Sequence, residues 1–316
     1  MSDNRIVVVA GPTASGKTRL GIALARRFGG EIISADSMQL YRGMDVGTAK
    51  ATCEEQAAAP HHMLDVADPR ESWSVARYVD EAGRCCDDIL ARGRVPIVVG
   101  GTGLYIDSLV AGRDFAACEE DKALRAALET EYDRRGGEEM LKALAAFDPE
   151  RAAKLNAGDR RRIVRAIEIY RLTGKTITEH DAETRRRPPR YEAARIVLNF
   201  RDRAALYDRI DRRVTKMAED GLFREAEALL RAGLPPDCTA MQAIGYKEAV
   251  LALRGELSEE EALDLIRQGS RRYAKRQITW FGRWDDALHI DWDAEPDFQA
   301  ALQSSTAFLK SRGYHE

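Results

Sequence analysis

Eight residues near the start of the sequence, Gly11 to Thr18, have the types and spacing of a phosphate-binding loop. They fit the pattern G-x-x-x-x-G-K-[ST], in which backbone N–H groups converge on phosphate oxygens and the dipole of the following helix favours negative charge. In this pattern Lys17 reaches a terminal phosphate and Thr18 offers its hydroxyl to Mg²⁺. The motif identifies neither the phosphate compound nor a phosphoryl transfer. The predicted phosphate-binding residues are Gly11, Pro12, Thr13, Ala14, Ser15, Gly16, Lys17 and Thr18.

Two further polar segments follow predicted strands and are expected to lie beside this loop. Asp36 and Ser37 end a predicted strand, and Thr102 lies in a glycine-rich turn that follows another. In an open parallel sheet, ligands bind beyond the carboxyl ends of the strands, where the phosphate loop also lies. A glycine-rich turn lets a ligand approach the backbone closely. The alternative for Thr102 is a tight turn that serves helix packing alone.

A stretch near the C-terminus, residues 267–283, is rich in Arg and Lys and contains no Asp or Glu. At helical spacing Arg267, Arg271 and Lys275 share one stripe, and Trp280 and Trp284 follow it. Proteins bind single-stranded RNA with cationic side chains, which contact its phosphates, and with aromatic rings, which stack on its bases. The alternative is a solvated charged face that packs on the tryptophans. An unbalanced stripe repels itself, which favours the RNA interpretation.

The elements that would position these residues alternate between strands and helices. Residues 116–194 contain no predicted strand, and residues 195–200 return to one, which indicates a helical insertion on a surface connection. We therefore predict an α/β fold: a P-loop NTPase-like core with a parallel sheet flanked by helices (residues 1–115 and 195–316), plus an all-helical insertion domain (residues 116–194). The last third of the chain is predicted to be helical. Strands are predicted at residues 5–10, 31–37, 60–66, 95–100 and 195–200, and the helices beside the candidate site at residues 18–28 and 74–92.

The composition limits the class of protein. With a net charge of −3 over 316 residues, the protein as a whole does not attract nucleic acid, so any RNA contact must come from a local group of basic residues. The five cysteines form no CxxC pair and no metal-binding spacing, and we expect them to be reduced thiols of a cytoplasmic protein. No signal peptide and no apolar run of membrane-spanning length is expected.

Several segments together resemble the bacterial tRNA dimethylallyltransferases, also called tRNA isopentenyltransferases. They occur in the family's order and cover the chain almost end to end; the segments at 34–50 and 275–283 are the most specific. The segments are GPTASGKT (11–18), SADSMQLYRGMDVGTAK (34–50), HHMLDV (61–66), GGTGLY (100–105), RRIVRAIEIYRLTGK (161–175), MQAIGYKE (241–248) and KRQITWFGR (275–283).

The resemblance implies a reaction, with Mg²⁺ as cofactor. A dimethylallyl group moves from dimethylallyl diphosphate to N6 of the adenosine next to the anticodon (position 37) of tRNA, and diphosphate leaves. It implies that Asp36 accepts the amine proton, that Thr102 contacts the adenine, and that Arg213, with Arg209 as an open alternative, helps to hold the diphosphate. Asp36 as a mere helix cap is the other interpretation. The expected partner is the tRNA anticodon stem-loop, with no membrane, and the protein is expected to be a monomer.

The resemblance also implies a path for the RNA along the protein. The implied tRNA-binding residues are Asp36, Ser37, Met38, Gln39, Arg161, Arg162, Ile163, Val164, Arg165, Gln242, Ala243, Ile244, Gly245, Tyr246, Lys247, Lys275, Arg276, Gln277, Ile278, Thr279 and Trp280.

Three other functions share parts of this pattern. A small-molecule kinase keeps the phosphate loop and a carboxylate but does not need the basic stripe. An adenylate isopentenyltransferase acting on free AMP is expected to lack the helical insertion and the segment at 241–248. A nucleotide-gated RNA-binding protein without catalysis keeps the basic helices and leaves Asp36 and Thr102 without a role.

Overall fold

The computed structural model describes residues 4–113 and 121–316. The chain divides into two units, the first formed by residues 1–110 and 190–316 and the second by residues 111–189. The predicted start of the insertion at residue 116 lies outside the described residues, as does Cys118. The four other cysteines are free thiols.

The first unit is built on a six-stranded sheet with the strand order β3-β2-β4-β1-β5-β6. Every neighbouring pair of strands is parallel. All the strands therefore end at the same edge of the sheet, and the segments that follow β2, β4 and β1 are neighbours there. The strands are β1 (Arg5–Ala10), β2 (Glu31–Ala35), β3 (His61–His62), β4 (Pro96–Gly100), β5 (Glu192–Phe200) and β6 (Leu288–Trp292).

Helices flank this sheet and also form the second unit. The helices of the first unit are α1 (Lys17–Arg27), α2 (Cys53–Ala58), α3 (Val75–Ala91), α4 (Gly103–Ala111), α10 (Arg203–Asp220), α11 (Leu222–Arg231), α12 (Tyr246–Leu253), α13 (Glu259–Phe281) and α14 (Phe298–Ser311). Those of the second unit are α5 (Lys122–Arg135), α6 (Gly137–Ala145), α7 (Pro149–Ala152), α8 (Arg160–Thr173) and α9 (Ile177–Arg186).

The β-branched run of β1 explains its place inside the sheet. Val7, Val8 and Val9 are fully buried, as expected of a central parallel strand that is covered on both faces. Val7 and Val9 pack into one core with Leu20 and Leu24 of α1, and side chains of α10, α13 and α14 complete that core. The loop between β1 and α1 is thus held from both ends.

The second unit has a hydrophobic core of its own. Leu128, Met140 and Leu144 pack there against Ile163 and Val164 of α8. This core has a consequence for RNA binding. Ile163 and Val164 are 0% and 2% exposed, so their side chains face the interior of the unit rather than its surface.

Parts of the secondary-structure prediction were wrong. The last third is not purely helical, because β6 joins the sheet at its edge; its sequence, Leu-His-Ile-Asp-Trp, alternates apolar and polar residues as a strand does. The strand predicted at 60–66 is only two residues long. β5 begins at Glu192 rather than at residue 195, and α4 was not predicted.

None of the described helices is both long enough and apolar enough to cross a membrane.

Candidate active site

The phosphate loop leaves three of its backbone donors free, at the point where α1 begins. Gly16 has a left-handed conformation (φ 88°), and a side chain at this position would come within 2.5 Å of the Phe298 ring, so only glycine fits. Helix α1 has no capping side chain and no acidic residue in its first turn. Within residues 4–113 and 121–316, the N–H groups of Gly16, Lys17 and Thr18 have no hydrogen-bond acceptor. Free N–H groups at a helix N-terminus form a site for an anion.

Lys17 adds a side-chain donor to this loop. Its Nζ donates to the Pro12 carbonyl at 2.7 Å, which leaves further N–H bonds of the ammonium for another acceptor. Burial, and then the positive charge of Arg213, lower the pKa of Lys17 to about 7, although the negative charge of Asp36 opposes both. The three side chains are therefore near one another, and an anion placed between the two cations would relieve their repulsion.

Arg209 and Arg213 lie one turn apart on α10, and the structure distinguishes them. Arg209 is ion-paired with Glu295 at 2.8 Å and donates to the Ala14 carbonyl at 3.2 Å. Arg213 has no ion pair among the described residues, and its only hydrogen bond there, to the Thr48 carbonyl, is long at 3.4 Å. Burial lowers the pKa of Arg213, while the charge of Asp36 raises it. Arg213 thus carries the less compensated charge next to the loop.

Asp36 and Thr102 meet at the ends of neighbouring strands, β2 and β4, where Ala35 pairs with Gly100. Asp36 Oδ1 accepts hydrogen bonds from the backbone N–H groups of Met38 (2.8 Å) and Gln39 (3.3 Å). Its Oδ2 makes no hydrogen bond with the described residues. The carboxylate therefore caps a turn rather than a helix, and one oxygen stays free for other chemistry.

Thr102 is tied to the same turn. Its Oγ1 accepts a hydrogen bond from the N–H of Ser37 at 3.2 Å, and its own N–H donates to the carbonyl of Ala35 at 3.1 Å. The two strand ends thus hold the Asp36 carboxylate and the Thr102 hydroxyl in one fixed arrangement.

Tyrosine rings beside Asp36 were not predicted. Tyr105 stacks on Tyr78 with 4.2 Å between ring centroids. Burial, and then the negative charge of Asp36, raise the pKa of Tyr273 to about 12, and Asp36 also contributes to the raised pKa of Tyr105. These rings give the site an apolar wall next to its carboxylate. Their sequence signal, single tyrosines in separate segments, is too weak to have placed them there.

The segment from Met38 to Lys50 is held in place by charged and hydrogen-bonded contacts. The buried Lys50 ammonium contacts Asp45 and Asp65 at 2.6 Å each. Glu225 of α11 accepts hydrogen bonds from three consecutive N–H groups, those of residues 45, 46 and 47, and from the Tyr246 hydroxyl. The segment is thereby fixed beside Asp36.

The residues assigned to RNA by resemblance have different exposures. Exposed side chains are Arg161, Arg162, Gln242, Lys247, Lys275, Arg276 and Thr279. Half-buried ones are Asp36, Ser37, Met38, Gln39, Arg165, Ile244, Ile278 and Trp280. Buried residues, which lie in the protein interior rather than at its surface, are Ile163, Val164, Ala243, Gly245, Tyr246 and Gln277.

The basic stripe of α13 is partly neutralised, contrary to the sequence-based expectation. Arg267 pairs with Asp264 at 2.6 Å, and Arg271 pairs with Asp211 of α10. Arg272, Lys275 and Arg276 are exposed and have no ion pair in the described part of the chain. The positive face is therefore smaller than the sequence suggests.

The two tryptophans that follow the stripe are held by the protein. The indole N–H groups of Trp280 and Trp284 donate to the Asp107 carboxylate at 2.9 and 3.1 Å. A Cβ at Gly103 would lie 2.3 Å from the Trp280 ring, so this ring packs on the glycine-rich turn. The rings support α4 and the turn, which does not support their proposed stacking on RNA bases.

The donor set limits which metal the site suits. No group of three or more His, Cys, Asp or Glu residues able to hold a metal occurs in the described ranges. The Thr18 hydroxyl, at the N-terminus of α1, is half-buried and makes no hydrogen bond there. A metal at this position needs most of its ligands from phosphate oxygens and water. That is how Mg²⁺ is commonly bound, so the residues fit it.

Comparisons with known proteins agree with these features. The family model described as IPP transferase matches residues 39–284, and the model described as Isopentenyl transferase matches residues 4–65. The chain is 47% identical over 296 residues to a tRNA dimethylallyltransferase of Thermoanaerobacter sp. (strain X514), covering 93% of each chain. It is 43% identical to the enzyme of the same name from Acetivibrio thermocellus, covering 98% of this chain and 99% of the other.

Solved structures are similar over the same length. The full-length tRNA isopentenylpyrophosphate transferase of Bacillus halodurans aligns with a TM-score of 0.72 and 39% identity, covering 98% of both chains. A eukaryotic dimethylallyltransferase acting on tRNA aligns with a TM-score of 0.83 and 28% identity, covering 98% of this chain and 80% of the other.

Proposed function

The chain belongs to the IPP transferase family, and from this membership and the geometry of the site we propose that it transfers the dimethylallyl group of dimethylallyl diphosphate to N6 of the adenosine next to the anticodon (position 37) of tRNA. It is an enzyme that modifies tRNA. The observation that carries the assignment of the site is the placement of Asp36 beside the two cations, Lys17 and Arg213, at the phosphate loop.

The reaction breaks the bond between the allylic carbon and the diphosphate oxygen and forms a bond from that carbon to N6. The electron pair of the broken bond leaves with the diphosphate, so negative charge grows there. The loop N–H groups, Lys17 and Arg213 are positioned to stabilise that charge as it develops. When bound at Thr18, Mg²⁺ supplies further positive charge next to the leaving group.

The nucleophile is an exocyclic amine whose lone pair is delocalised into the purine ring. It attacks well only if its proton is removed as the new bond forms. The free Oδ2 of Asp36 accepts that proton, and Thr102 holds the adenine at the end of the neighbouring strand. The rings of Tyr105 and Tyr273 line the same site and suit an apolar dimethylallyl chain.

The choice between the two arginines of α10 can be tested directly. We expect Arg213→Gln to lower kcat/KM for dimethylallyl diphosphate about 100-fold, because it removes a charge aimed at the leaving group. Arg209→Gln is expected to cost about tenfold or less, since Glu295 already compensates its charge. Steady-state kinetics with saturating tRNA compares the two variants. A larger loss for Arg209→Gln than for Arg213→Gln would reverse the assignment.

We propose that RNA is bound by the exposed basic residues of each unit. In the first unit these include Lys247, Arg272, Lys275 and Arg276. In the second unit the exposed residues are Arg161 and Arg162.

The target base lies in a stacked loop, and turning it out of the loop costs a few kcal/mol, about as much as several contacts between basic residues and phosphates return.

Neutralising the exposed charges of α13 is expected to change the salt dependence of binding. In the double variant Arg272→Gln/Lys275→Gln, tRNA affinity should fall several-fold, and the slope of log K against log salt should become shallower by about 1.5, because fewer counterions are released. The matched control, Arg84→Gln/Arg231→Gln, removes the same net charge from ion-paired positions and should leave the slope unchanged. Equal slopes in all three proteins would show that this face is only solvated.

The competing functions fit less well. The Isopentenyl transferase model matches only residues 4–65, whereas the IPP transferase model extends through the helical unit to residue 284, which does not favour free AMP as the acceptor. A kinase would not explain the exposed basic residues of α13, and a non-catalytic RNA-binding protein would leave Asp36 and Thr102 without a role. We further propose that the protein acts as a monomer in the cytoplasm, on the anticodon stem-loop.

The acceptor atom is tested by product analysis. Unmodified tRNA is incubated with the protein, dimethylallyl diphosphate and Mg²⁺, and then digested to nucleosides for mass spectrometry. We expect one adenosine per tRNA to gain a dimethylallyl group at N6, in the fragment that contains the base next to the anticodon. Modification of free AMP at a comparable rate would point to the adenylate reaction instead.

A further inference from the structure

Gln277 of α13 is a buried amide with a hydrogen bond at each end. It is 5% exposed, and its Oε1 accepts a hydrogen bond from the backbone N–H of Thr13 at 2.8 Å. Its Nε2 donates to the carbonyl of Gly101 at 3.0 Å. The two partners are 264 and 176 residues away in sequence. A single side chain thus joins two loops that are remote along the chain.

These two loops are the ones that hold the two substrates in the proposed reaction. Thr13 is part of the phosphate loop, and Gly101 directly precedes Thr102. The Gln277 side chain can approach the backbone of residue 101 this closely because residue 101 is glycine; a Cβ there would lie 2.1 Å from Gln277 Nε2. Tyr273, one turn earlier on α13, also interacts with Thr102 and Gln277. The helix therefore contacts both loops, and the Gln277 amide hydrogen-bonds to both of them.

The chemistry of the amide fixes this arrangement. An amide offers one acceptor and two donors, and here its acceptor faces an N–H group while a donor faces a carbonyl. Rotating the amide by half a turn would place donor against donor and acceptor against acceptor. A carboxylate cannot donate, and an apolar side chain of the same length can do neither. Near neutral pH, where a glutamate side chain is ionised, an amide of this length satisfies both loops and a carboxylate does not.

We infer that Gln277 is a positioning residue, not an RNA contact: it fixes the separation between the diphosphate cradle and the turn that holds the adenine. This inference rests on the proposed function. Bond formation requires the allylic carbon and N6 to be held at reacting distance, and a misplacement of about 1 Å can cost about 100-fold in rate. Gln277 acts through the backbone of its partners and touches neither reacting atom.

The test compares Gln277→Met with the wild type and with Gln303→Met, a matched substitution at an exposed glutamine of α14. We expect Gln277→Met to lower kcat about 100-fold. The Kd values for tRNA and for inorganic diphosphate should each stay within about threefold of the wild type, because each loop keeps its own donors. Gln303→Met should leave all three values unchanged. An unaltered kcat, or a loss confined to tRNA affinity, would overturn the inference.

A second variant keeps the test decisive if Gln277→Met folds poorly. In Gln277→Glu the ionised carboxylate accepts from Thr13 but repels the Gly101 carbonyl, whereas the protonated carboxyl accepts and donates as the amide does. We expect its kcat, relative to wild type at the same pH, to rise at least fivefold between about pH 8 and about pH 5. A pH-independent ratio contradicts the role. If the wild type itself transfers nothing to tRNA, the proposed function fails, and not this inference alone.

Discussion

Replacing Lys17 with Met is expected to lower kcat/KM for dimethylallyl diphosphate by about 100- to 1000-fold, the usual loss when one preorganised donor to a developing anion is removed. The methionine fills a similar volume at the half-buried position, so the loop should keep its shape. The tRNA affinity should stay within about twofold, because the exposed basic residues are unchanged. Steady-state kinetics and filter binding measure these two quantities. The control is Lys310→Met, at an exposed lysine on α14, which should behave as wild type.

The pKa of Lys17 gives this prediction a second readout. At about 7 the pKa is well below its ordinary value, so near pH 8 much of Lys17 is neutral in the free protein. A bound diphosphate favours the charged ammonium and raises this pKa, so binding must take up protons near pH 8, and less so as the pH falls below 7. Calorimetry of inorganic diphosphate binding in buffers of different ionisation enthalpy measures the uptake.

The comparison that matters is between wild type and Lys17→Met. The ionisations of free diphosphate are common to both proteins and cancel in the difference. We expect the wild type to take up more protons than the variant. Equal proton uptake, or near-normal turnover in Lys17→Met, would remove Lys17 from the anion site.

The substitution Asp36→Asn is expected to lower kcat by about 100- to 10,000-fold, the range of rates that general base catalysis contributes. Asparagine keeps an oxygen that can accept the N–H groups of Met38 and Gln39, so the turn is preserved, but it cannot take up a proton. Alanine would remove the base and the turn together and is therefore the less informative change. Single-turnover rates with preformed tRNA complex report the chemical step.

Two further measurements separate the base from a structural role. The Kd values for tRNA and for diphosphate should remain near wild type in Asp36→Asn, and Asp80→Asn, at an exposed ion-paired aspartate of α3, should have normal rates. If Asp36→Asn retained more than about a tenth of the wild-type rate, Asp36 would serve only to cap its turn.

Local signals in the sequence were sufficient to predict the centre of the fold. The β-branched run of residues 5–10, the glycines and Lys17 of the loop, and the apolar spacing of α1 are all adjacent in the chain, so strand, loop and helix could be predicted together. The parallel order of the strands then placed Asp36 and Thr102 at one edge. The edge strand β6 was missed because an alternation of only five residues is a short signal in a part of the chain where helices dominate.

Features that depend on distant residues could not be predicted. The basic stripe looked unbalanced because Asp211, which neutralises Arg271, is 60 residues away in sequence. Gln277 looked like a surface residue of a basic helix, since nothing near it in the chain reveals its two backbone partners. The burial of Ile163 and Val164, in contrast, could have been read from their position on the apolar side of α8.

The most direct test of the account measures prenyl transfer and nucleotide consumption in one reaction. Dimethylallyl diphosphate labelled in its prenyl group is incubated with the protein, Mg²⁺, unmodified tRNA and ATP, and the label in tRNA is counted alongside the ADP formed. We expect label to enter tRNA in step with diphosphate release, with no ADP produced and no loss of transfer when ATP is omitted. ADP formation without label in tRNA would contradict the claim that the loop holds a departing diphosphate.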